Sequence, residues 1–338
     1  MKGMDMVKVA VIILNWNGEK LLQKFLPSVV EYTPSALGKV VVVDNASEDC
    51  SVEVVKQGFP SVELVCYDRN YGFAGGYNRA VKEREEEIVV LLNSDVEVTE
   101  GWLDPLVEML EKEREVMAVQ PKIKSWREKD KFEYAGACGG YIDRLGFPFC
   151  RGRILNVTEV DRGQYDEPAE VFWCSGAALC IRRADYLRVG GLDEHFFAHM
   201  EEIDLCWRLR NQGGVLKVVP ASVVYHLGGG SLPMNHPRKL FLNYRNNLLM
   251  LYKNLTISQW RQVRWQRWGL DLAALVLFLA KGEWKNARSV WLAYREFGKM
   301  KAYYQPSGQE GTDRCIYRGC IVFQYYFKHI RAFSQLSE

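Results

Sequence analysis

Apolar residues come in two alternating rhythms along the first 125 positions. Val7 to Leu14, Lys39 to Val43, Val62 to Cys66 and Ile88 to Leu92 are short runs rich in branched side chains. Runs of that length and composition predict strands buried on both faces, the habit of parallel sheets. Between them apolar positions recur with helical spacing. Leu21, Leu22, Phe25, Leu26 and Val29 predict a helix over Glu19 to Tyr32, ended by Pro34, and Asn45 to Asp49 supply turn and capping chemistry for a helix over Cys50 to Gln57. The alternation predicts an α/β fold with a mostly parallel central sheet, flanked by helices and joined by right-handed crossovers. Further helices are expected over Trp102 to Glu115 and Ala184 to Val189. Further strands are expected at Ala118 to Lys122, Trp173 to Ile181, Val215 to Val219 and Val223 to Tyr225. Ser125 to Glu170, rich in glycine and charge, reads as loops and short strands shaping one side of a site.

The strands end in side chains that can do chemistry. Asn15-Trp16-Asn17-Gly18 follows the first, Asp44-Asn45 the second, and Asn93-Ser94-Asp95 the run at Ile88 to Leu92. Open α/β sheets bind ligands at that edge, where a carboxylate can hold a hard divalent cation against phosphate oxygens. An Asx-turn would account for Asn93 to Asp95 taken alone. The glycine-rich stretch Asn70 to Ala80 is expected to open a helix and, through Gly72, Gly75 and Gly76, to let a nucleotide approach bare backbone. Its spacing is not the dinucleotide fingerprint.

Glu201, Glu202 and Asp204 crowd a helix start, which the helix dipole favours. Phe196, Phe197 and Trp207 flank them, and Ile203 and Leu205 require burial, so at least one carboxylate is expected in a semi-buried cleft. Burial raises a carboxyl pKa and suits it to general-base work. His226, followed by Gly228 to Gly230 at a strand end, is a candidate for a phosphate or metal contact.

Composition removes several alternatives. A net charge of +2 gives no electrostatic case for nucleic acid. Nine scattered cysteines without a Cys-x-x-Cys pair suit reduced, mostly buried thiols of a cytosolic protein better than a disulfide framework or a zinc site. Lys2 and Lys8 precede an apolar run too short for an export signal. No stretch reaches the roughly 20 apolar residues of a membrane span. At 338 residues the chain exceeds one ordinary domain, and a boundary is expected between 1–235 and a helical region at 236–338.

That helical region interleaves Trp260, Trp265, Trp268, Trp284 and Trp291 with Arg261, Arg264, Arg267, Lys281, Lys285, Arg288 and Arg295. Between these belts the apolar segment Leu270 to Ala280 reaches about 16 Å as a helix, against a hydrocarbon core of about 30 Å. It reads as a helix lying in the bilayer interface, with a buried appendage or a dimer contact as the alternatives. Arg314 to Glu338 reads as helix.

Seven motifs stand in one order: Asn15-Trp16-Asn17, Val43 to Ser47, the Asn70 to Asn78 glycine stretch, Asn93-Ser94-Asp95, Gly191 to Glu194, Glu201-Glu202-x-Asp204-Leu205, and His226-x-Gly-Gly-Gly. In this order the chain resembles the inverting family 2 glycosyltransferases of GT-A fold, and within them the rhamnosyltransferase branch. The resemblance runs over about residues 7 to 255, including Tyr244-Arg245-Asn246. It implies transfer of a sugar, with rhamnose the candidate, from a nucleoside-diphosphate donor to a hydroxyl of a glycan or polyprenyl-diphosphate-linked acceptor in cell-surface polysaccharide synthesis. The place implied is the inner face of the plasma membrane. The resemblance assigns Asn15, Asn17, Asp44, Asn45, Gly72, Asn78, Asn93 and Arg245 to the donor, and Asp95 with His226 to a Mg²⁺ or Mn²⁺ ion. It places Gly176, Asp193, Glu201 and Asp204 on the acceptor side and makes Glu202 the base. Two positions depart from the family pattern: Asn93 stands where many relatives have a first aspartate, and Glu202 where aspartate is usual. Glu201 and Asp204 are the local substitutes for the base. A sugar nucleotidyltransferase and a catalytically silent nucleotide-sugar-binding or membrane scaffold are the competing functions.

Overall fold

The structure is a computed structural model that describes residues 9–228, 236–309 and 313–336. Expectations placed on Lys2, Val7, Lys8, Gly229 to Ser231, Ser337 and Glu338 lie outside the described residues. The first half alternates as its pattern requires. Strands β1 (Val9–Asn15), β2 (Gly38–Asp44), β3 (Glu63–Cys66) and β4 (Ile88–Asn93) are separated by helices α1 (Glu19–Glu31), α2 (Ser51–Gly58) and α3 (Gly72–Lys82). After β5 (Val96–Val98), α4 (Asp104–Lys112) and the long β6 (Val116–Ser125) come four short strands, β7 (Gly140–Asp143), β8 (Pro148–Cys150), β9 (Arg153–Ile154) and β10 (Val157–Thr158). Next are β11 (Ala169–Glu170), β12 (Ala178–Arg182), α5 (Arg183–Arg188), α6 (Glu201–Asn211) and β13 (Val215–His226). The remainder is helical through α7 (Pro237–Asn254), α8 (Ile257–Ala280) and α9 (Trp284–Met300), followed by β14 (Ile316–Tyr317) and α10 (Ile321–Phe327).

The central sheet has nine described strands, in the order β11-β13-β6-β12-β4-β1-β2-β3, with β5 on β13. β1 pairs in parallel with β2 and β4, and β2 with β3, so Asn15, Asp44 and Asn93 end on one edge. β12 enters antiparallel between β4 and β6, so the sheet is mixed on that side. The two separate strands expected at Val215 to Tyr225 are one strand, irregular where Val219 gives way to Val223. The stretch 125–170 contributes β7 to β10, which join β14 in a second, five-stranded sheet. Its strands are two to four residues long, too short to show a period.

Alternation along β1 divides the core. Val9, Val11 and Ile13 meet Leu22, Leu26 and Val29 of α1 and Leu106, Val107 and Leu110 of α4. Ala10 and Ile12 share the other cluster with Tyr77, Ala80 and Val81 of α3, Leu205 and Leu209 of α6, and Leu248 to Leu251 of α7. Phe297 of α9 and Cys315 belong to that same cluster, so the C-terminal helices share the core of the N-terminal region. The apolar segment Leu270 to Ala280 is the second half of α8, a helix of 24 residues. Among the described residues no helix is long and apolar enough to cross a membrane.

Candidate active site

The edge formed by the ends of β1, β2 and β4 carries a bonded polar frame. Asn15 Nδ2 donates to Asp44 Oδ1 at 3.1 Å and to Ser47 Oγ at 3.2 Å. Asp44 also accepts from the Ser47 N–H (2.9 Å) and hydroxyl (2.6 Å). Asn17, in the left-handed region at φ 52°, accepts from the Glu48 N–H at 2.7 Å. Asp44 is only 3% exposed, so this turn is assembled before any ligand arrives.

The glycine-rich stretch is where the structure corrects the sequence reading. Gly72 is not an open phosphate cradle: its N–H donates to Asn70 Oδ1 at 2.7 Å, and Asn45 Nδ2 donates to both Asn70 Oδ1 (3.0 Å) and Gly72 O (3.1 Å). Asn45 thus ties the β2 end to the start of α3. Gly75 and Gly76 lie inside α3 and are buried, and a Cβ on Gly76 would stand 2.7 Å from Leu14 Cδ1. The absent side chain of Gly76 allows close helix-to-strand packing. Asn78 is also not a donor contact. Its amide oxygen accepts from Tyr186 Oη (2.6 Å) and the Leu192 N–H (2.9 Å), and its nitrogen donates to Leu192 O (2.8 Å) and Glu194 Oε1 (3.2 Å). These four bonds fill the capacity of the amide, and Asn78 fixes the Gly191 to Glu194 turn instead.

Asp95 sits in the tight turn between β4 and β5, beside the end of β13. Leu227 N–H donates to Asp95 O at 3.0 Å, and Asp95 Oδ1 lies 3.1 Å from His226 Nε2. On the other side of the ring, Nδ1 is 3.4 Å from Glu133 Oε2, without an aligned hydrogen bond. Burial disfavours the imidazolium, but Glu133 and Asp95 together outweigh it and push the His226 pKa up to about 10. Burial likewise raises the Asp95 carboxyl, and the hydrogen bond and charge of His226 more than reverse this, holding it below the ordinary carboxylate value. Glu133 was hidden in the stretch whose pattern carries no period.

Glu202 reaches the same region from α6. Asn93 N–H donates to Ala177 O at 3.0 Å, so the backbone just before β12 flanks the β4 end. A Cβ placed on neighbouring Gly176 would lie 3.5 Å from Glu202 Cβ and 3.9 Å from the Phe73 ring. Phe73 packs edge-on against Tyr77 at 4.9 Å. Tyr77 Oη donates to Leu92 O at 2.9 Å, and its phenol pKa is raised by burial and then by the charge of Asp95. Phe73 and Gly176 therefore flank Glu202, Tyr77 lies buried behind Phe73, and the Asn93–Ala177 hydrogen bond ties the Gly176 backbone to the strand end two residues before Asp95. Burial raises the Glu202 carboxyl, and the backbone amides of Glu202, Ile203 and Met200 offset this only in part. Its Oε2 is inaccessible and has no hydrogen-bond partner among the described residues, as does Oε2 of Glu201. Glu201 is 6% exposed, with its carboxyl raised by burial and by the neighbouring Glu202 charge.

Other acids expected near the acceptor hold the scaffold. Asp204 is fully buried, paired with Lys253 (2.9 Å) and Arg208 (2.8 Å), and accepts from Asn254 Nδ2 (2.7 Å). It joins α6 to α7 and cannot face an acceptor. Asp193 caps the His195 N–H at 3.1 Å and pairs with Lys253 at 2.7 Å. Arg245, expected at the diphosphate, instead donates to the carbonyls of Phe196 (2.8 Å) and His195 (3.3 Å).

The segment those carbonyls belong to is strained. Phe197 has φ 67° and ψ −55°, with Ala198 N–H donating to Phe196 O at 2.8 Å, a γ-turn of the rare hand. His199 and Met200 follow at φ 70° and 74°, immediately before Glu201. Asn246, fully buried on α7, donates to the carbonyls of Phe196 (2.9 Å), Ala198 (2.8 Å) and His199 (2.8 Å). Residues held in such backbone conformations persist where their surroundings over-determine them, often at functional sites. The sequence did carry a signal for this: Asn243, Asn246 and Asn247 cluster in a helix, where asparagine is disfavoured unless its amide finds tertiary partners.

No group of three or more His, Cys, Asp or Glu side chains among the described residues is arranged to hold a metal alone. Asp95 and His226 stand side by side at a sheet edge, paired with each other. The Asp95 carboxylate fits a cation of the Mg²⁺ or Mn²⁺ type, which takes one or two carboxylates and completes its shell with substrate phosphates and water, and His226 would join it only on losing the proton that its acidic neighbours hold.

Comparison with known proteins places the chain in a family and a fold. The glycosyl transferase family 2 model matches residues 10–185. An N-acetylglucosaminyl-diphospho-decaprenol L-rhamnosyltransferase of Mycobacterium tuberculosis is 28% identical over 261 residues, covering 71% of this chain and 83% of the relative. Rhamnosyltransferase WbbL of Escherichia coli is 24% identical over 225 residues, 64% of this chain and 83% of WbbL. Among solved structures, S. aureus TarS 1-349 in complex with UDP-GlcNAc superposes with a TM-score of 0.58 at 16% identity, covering 87% of this chain and 81% of that one. A mannosyltransferase from Pyrobaculum calidifontis in complex with GDP-Man and Mn²⁺ gives 0.53 at 17% identity, covering 87% and 84%. With its match to the family model and its GT-A architecture, the chain belongs to glycosyl transferase family 2, and it is a glycosyltransferase resembling the rhamnosyltransferases of that family.

Proposed function

We propose that this glycosyltransferase moves a sugar, rhamnose foremost, from a nucleoside-diphosphate donor to a hydroxyl of a polyprenyl-diphosphate-linked saccharide, with inversion at the anomeric carbon. The observation that carries the reading is that Gly176 packs against Glu202 while its neighbour Ala177 accepts from Asn93, two residues before Asp95. In this reading residues 1–235 carry the donor and catalytic machinery. Residues 236–338 order the loop before α6 and face the inner surface of the plasma membrane. The frame of Asn15, Asn17, Asp44 and Asn45 receives the nucleoside. Asp95, joined by His226 once that ring has lost its proton, would hold a divalent cation, which when bound supplies charge stabilisation to the leaving diphosphate.

Glu202 does the proton chemistry. Its carboxylate accepts the proton of the acceptor hydroxyl as that oxygen attacks the anomeric carbon, and the diphosphate leaves with the bonding electrons. Burial favours the protonated form of Glu202, so in its ionised form it is a stronger base than a solvated carboxylate. Gly176 and Phe73 lie against the stem of Glu202, where a bulkier side chain at position 176 would crowd it. The relative of M. tuberculosis, whose name specifies a decaprenol-linked diphosphate acceptor, supports the acceptor class.

The test is to incubate the protein and Mn²⁺ with a panel of nucleotide sugars, dTDP-rhamnose included, and a synthetic polyprenyl-diphosphate N-acetylglucosamine. Nucleotide release that depends on acceptor, with a product of inverted anomeric configuration, is expected. Tight donor binding with no release from any pair would favour a silent binding protein. A retained configuration would remove Glu202 as the base.

A further inference from the structure

Helix α8 is built inside out. Its buried residues are Arg267 and Asp271, whose side chains are 4% and 2% exposed and pair at 3.0 Å. Tyr294 of α9 donates to Asp271 Oδ2 at 2.8 Å, and Arg267 donates to Leu145 O at 3.2 Å and to Asn247 Oδ1. The stripe at spacings of three and four residues, Trp265, Trp268, Leu272 and Val276, is 64%, 49%, 42% and 54% exposed. Trp265 and Trp268 meet edge-on at 6.5 Å, and exposed Leu277 and Trp284 continue the apolar surface into the turn before α9. A helix facing water would carry the reverse pattern. An exposed apolar patch of this kind marks an interaction surface.

Charge says what the surface meets. Arg261, Arg264, Lys281, Lys285 and Arg288 are all exposed along α8 and the first turns of α9. Acids in residues 257–301 number three: Asp271 is buried in its ion pair, Glu296 is paired with Lys299, and Glu283 is exposed. A twofold contact between two copies through this patch would set these cations against their own symmetry mates, which is unfavourable. An anionic lipid surface matches both the cations and the tryptophans, since tryptophan prefers the headgroup boundary and long basic side chains reach past apolar surface to phosphates.

We propose that the α8 stripe and the α8–α9 turn dock this protein flat on a bilayer surface rich in anionic headgroups. The biological use of that docking rests on the lipid-linked acceptor reading above; the docking itself does not.

The test is co-sedimentation of the full chain with vesicles of phosphatidylglycerol and phosphatidylcholine, and with phosphatidylcholine alone, without donor or acceptor. Failure of sugar transfer therefore leaves this result standing, and the converse holds. Wild type is expected on the anionic vesicles and to come off as salt rises. The Trp265→Ser/Trp268→Ser and Arg261→Glu/Arg264→Glu pairs should each lower partition by about tenfold or more. Their circular dichroism and melting should stay unchanged, because all four residues are exposed. Wild type remaining in the supernatant, or both double variants sedimenting like wild type, would overturn the proposal. So would a dimer in lipid-free solution that Trp265→Ser/Trp268→Ser converts to monomer.

Discussion

Asn246→Ala removes one amide from a fully buried position on α7 and should act on a residue it never touches. The two hydrogens of Asn246 Nδ2 serve three carbonyls, those of Phe196, Ala198 and His199. The Phe196 carbonyl keeps Arg245 and the Ala198 N–H, so two carbonyls lose a partner at about 1–3 kcal/mol each, a sum of about 2–6 kcal/mol. Those bonds hold Phe197, His199 and Met200 at positive φ, where each residue carries about 1–3 kcal/mol of strain. Without them the loop should relax toward ordinary backbone and carry the start of α6 with it. A displacement of Glu202 by about 1 Å would lower kcat on the order of 100-fold. The KM for donor should stay within about twofold, because the frame at Asn15 and Asp44 has no bond to this loop. Asn246→Asp keeps an oxygen for Arg245 Nε but loses both donors, and should resemble the alanine variant. Steady-state kinetics with donor and acceptor varied separately, beside a melting curve, decide the matter. Wild-type kcat in a variant melting several degrees lower would refute the link between loop and base. So would a loss that falls equally on donor KM.

Further outcomes follow from the same geometry. Asp95→Ala should weaken nucleoside-diphosphate binding by at least about tenfold when Mn²⁺ is present and little when it is absent, measured by calorimetry; equal affinity in both conditions would contradict its role as a metal ligand. Because burial raises the Glu202 pKa above its usual 4.5, kcat/KM should fall as pH drops through that raised value, and the acid limb should therefore lie at higher pH than for a solvated carboxylate. The same raised pKa means the folded state holds its proton more tightly than the unfolded chain, so this group lowers stability as pH rises from 4.5 through the folded value. Glu202→Gln should accordingly melt no lower than wild type at neutral pH. Asp271→Ala leaves the Arg267 charge buried without its carboxylate and should cost about 3–5 kcal/mol in urea unfolding. Replacing both partners by apolar residues should recover most of that loss, and a double variant as unstable as the single one would speak against it.

The half of the molecule proposed to bind the donor was legible because strands buried on both faces announce themselves as continuous apolar runs, and their ends carry the polar residues. The parts that escaped share a different physics. β12 reads as a strand from its residues, but nothing in them reveals that it runs antiparallel into the sheet. Strands β7 to β10 are too short for period to show. Gly76 looks like a nucleotide-cradle glycine until Leu14 is seen pressed against it. Asp204 and Glu202 are two positions apart on one helix, and only the partners Lys253, Arg208 and Asn254 reveal that one is a tether. Glu133 acts through tertiary partners far away in the chain, which no local pattern records, and the asparagines clustered on α7 signal that their amides need such partners without saying which.

The most direct measurement is the turnover of Glu202→Gln, which keeps the size and shape of the side chain and removes only its capacity to accept a proton. Donor and Mn²⁺ affinity should equal wild type while acceptor-dependent nucleotide release falls by at least about 100-fold. A variant that turns over at the wild-type rate would show that the carboxylate beside Gly176 is not the group that activates the acceptor.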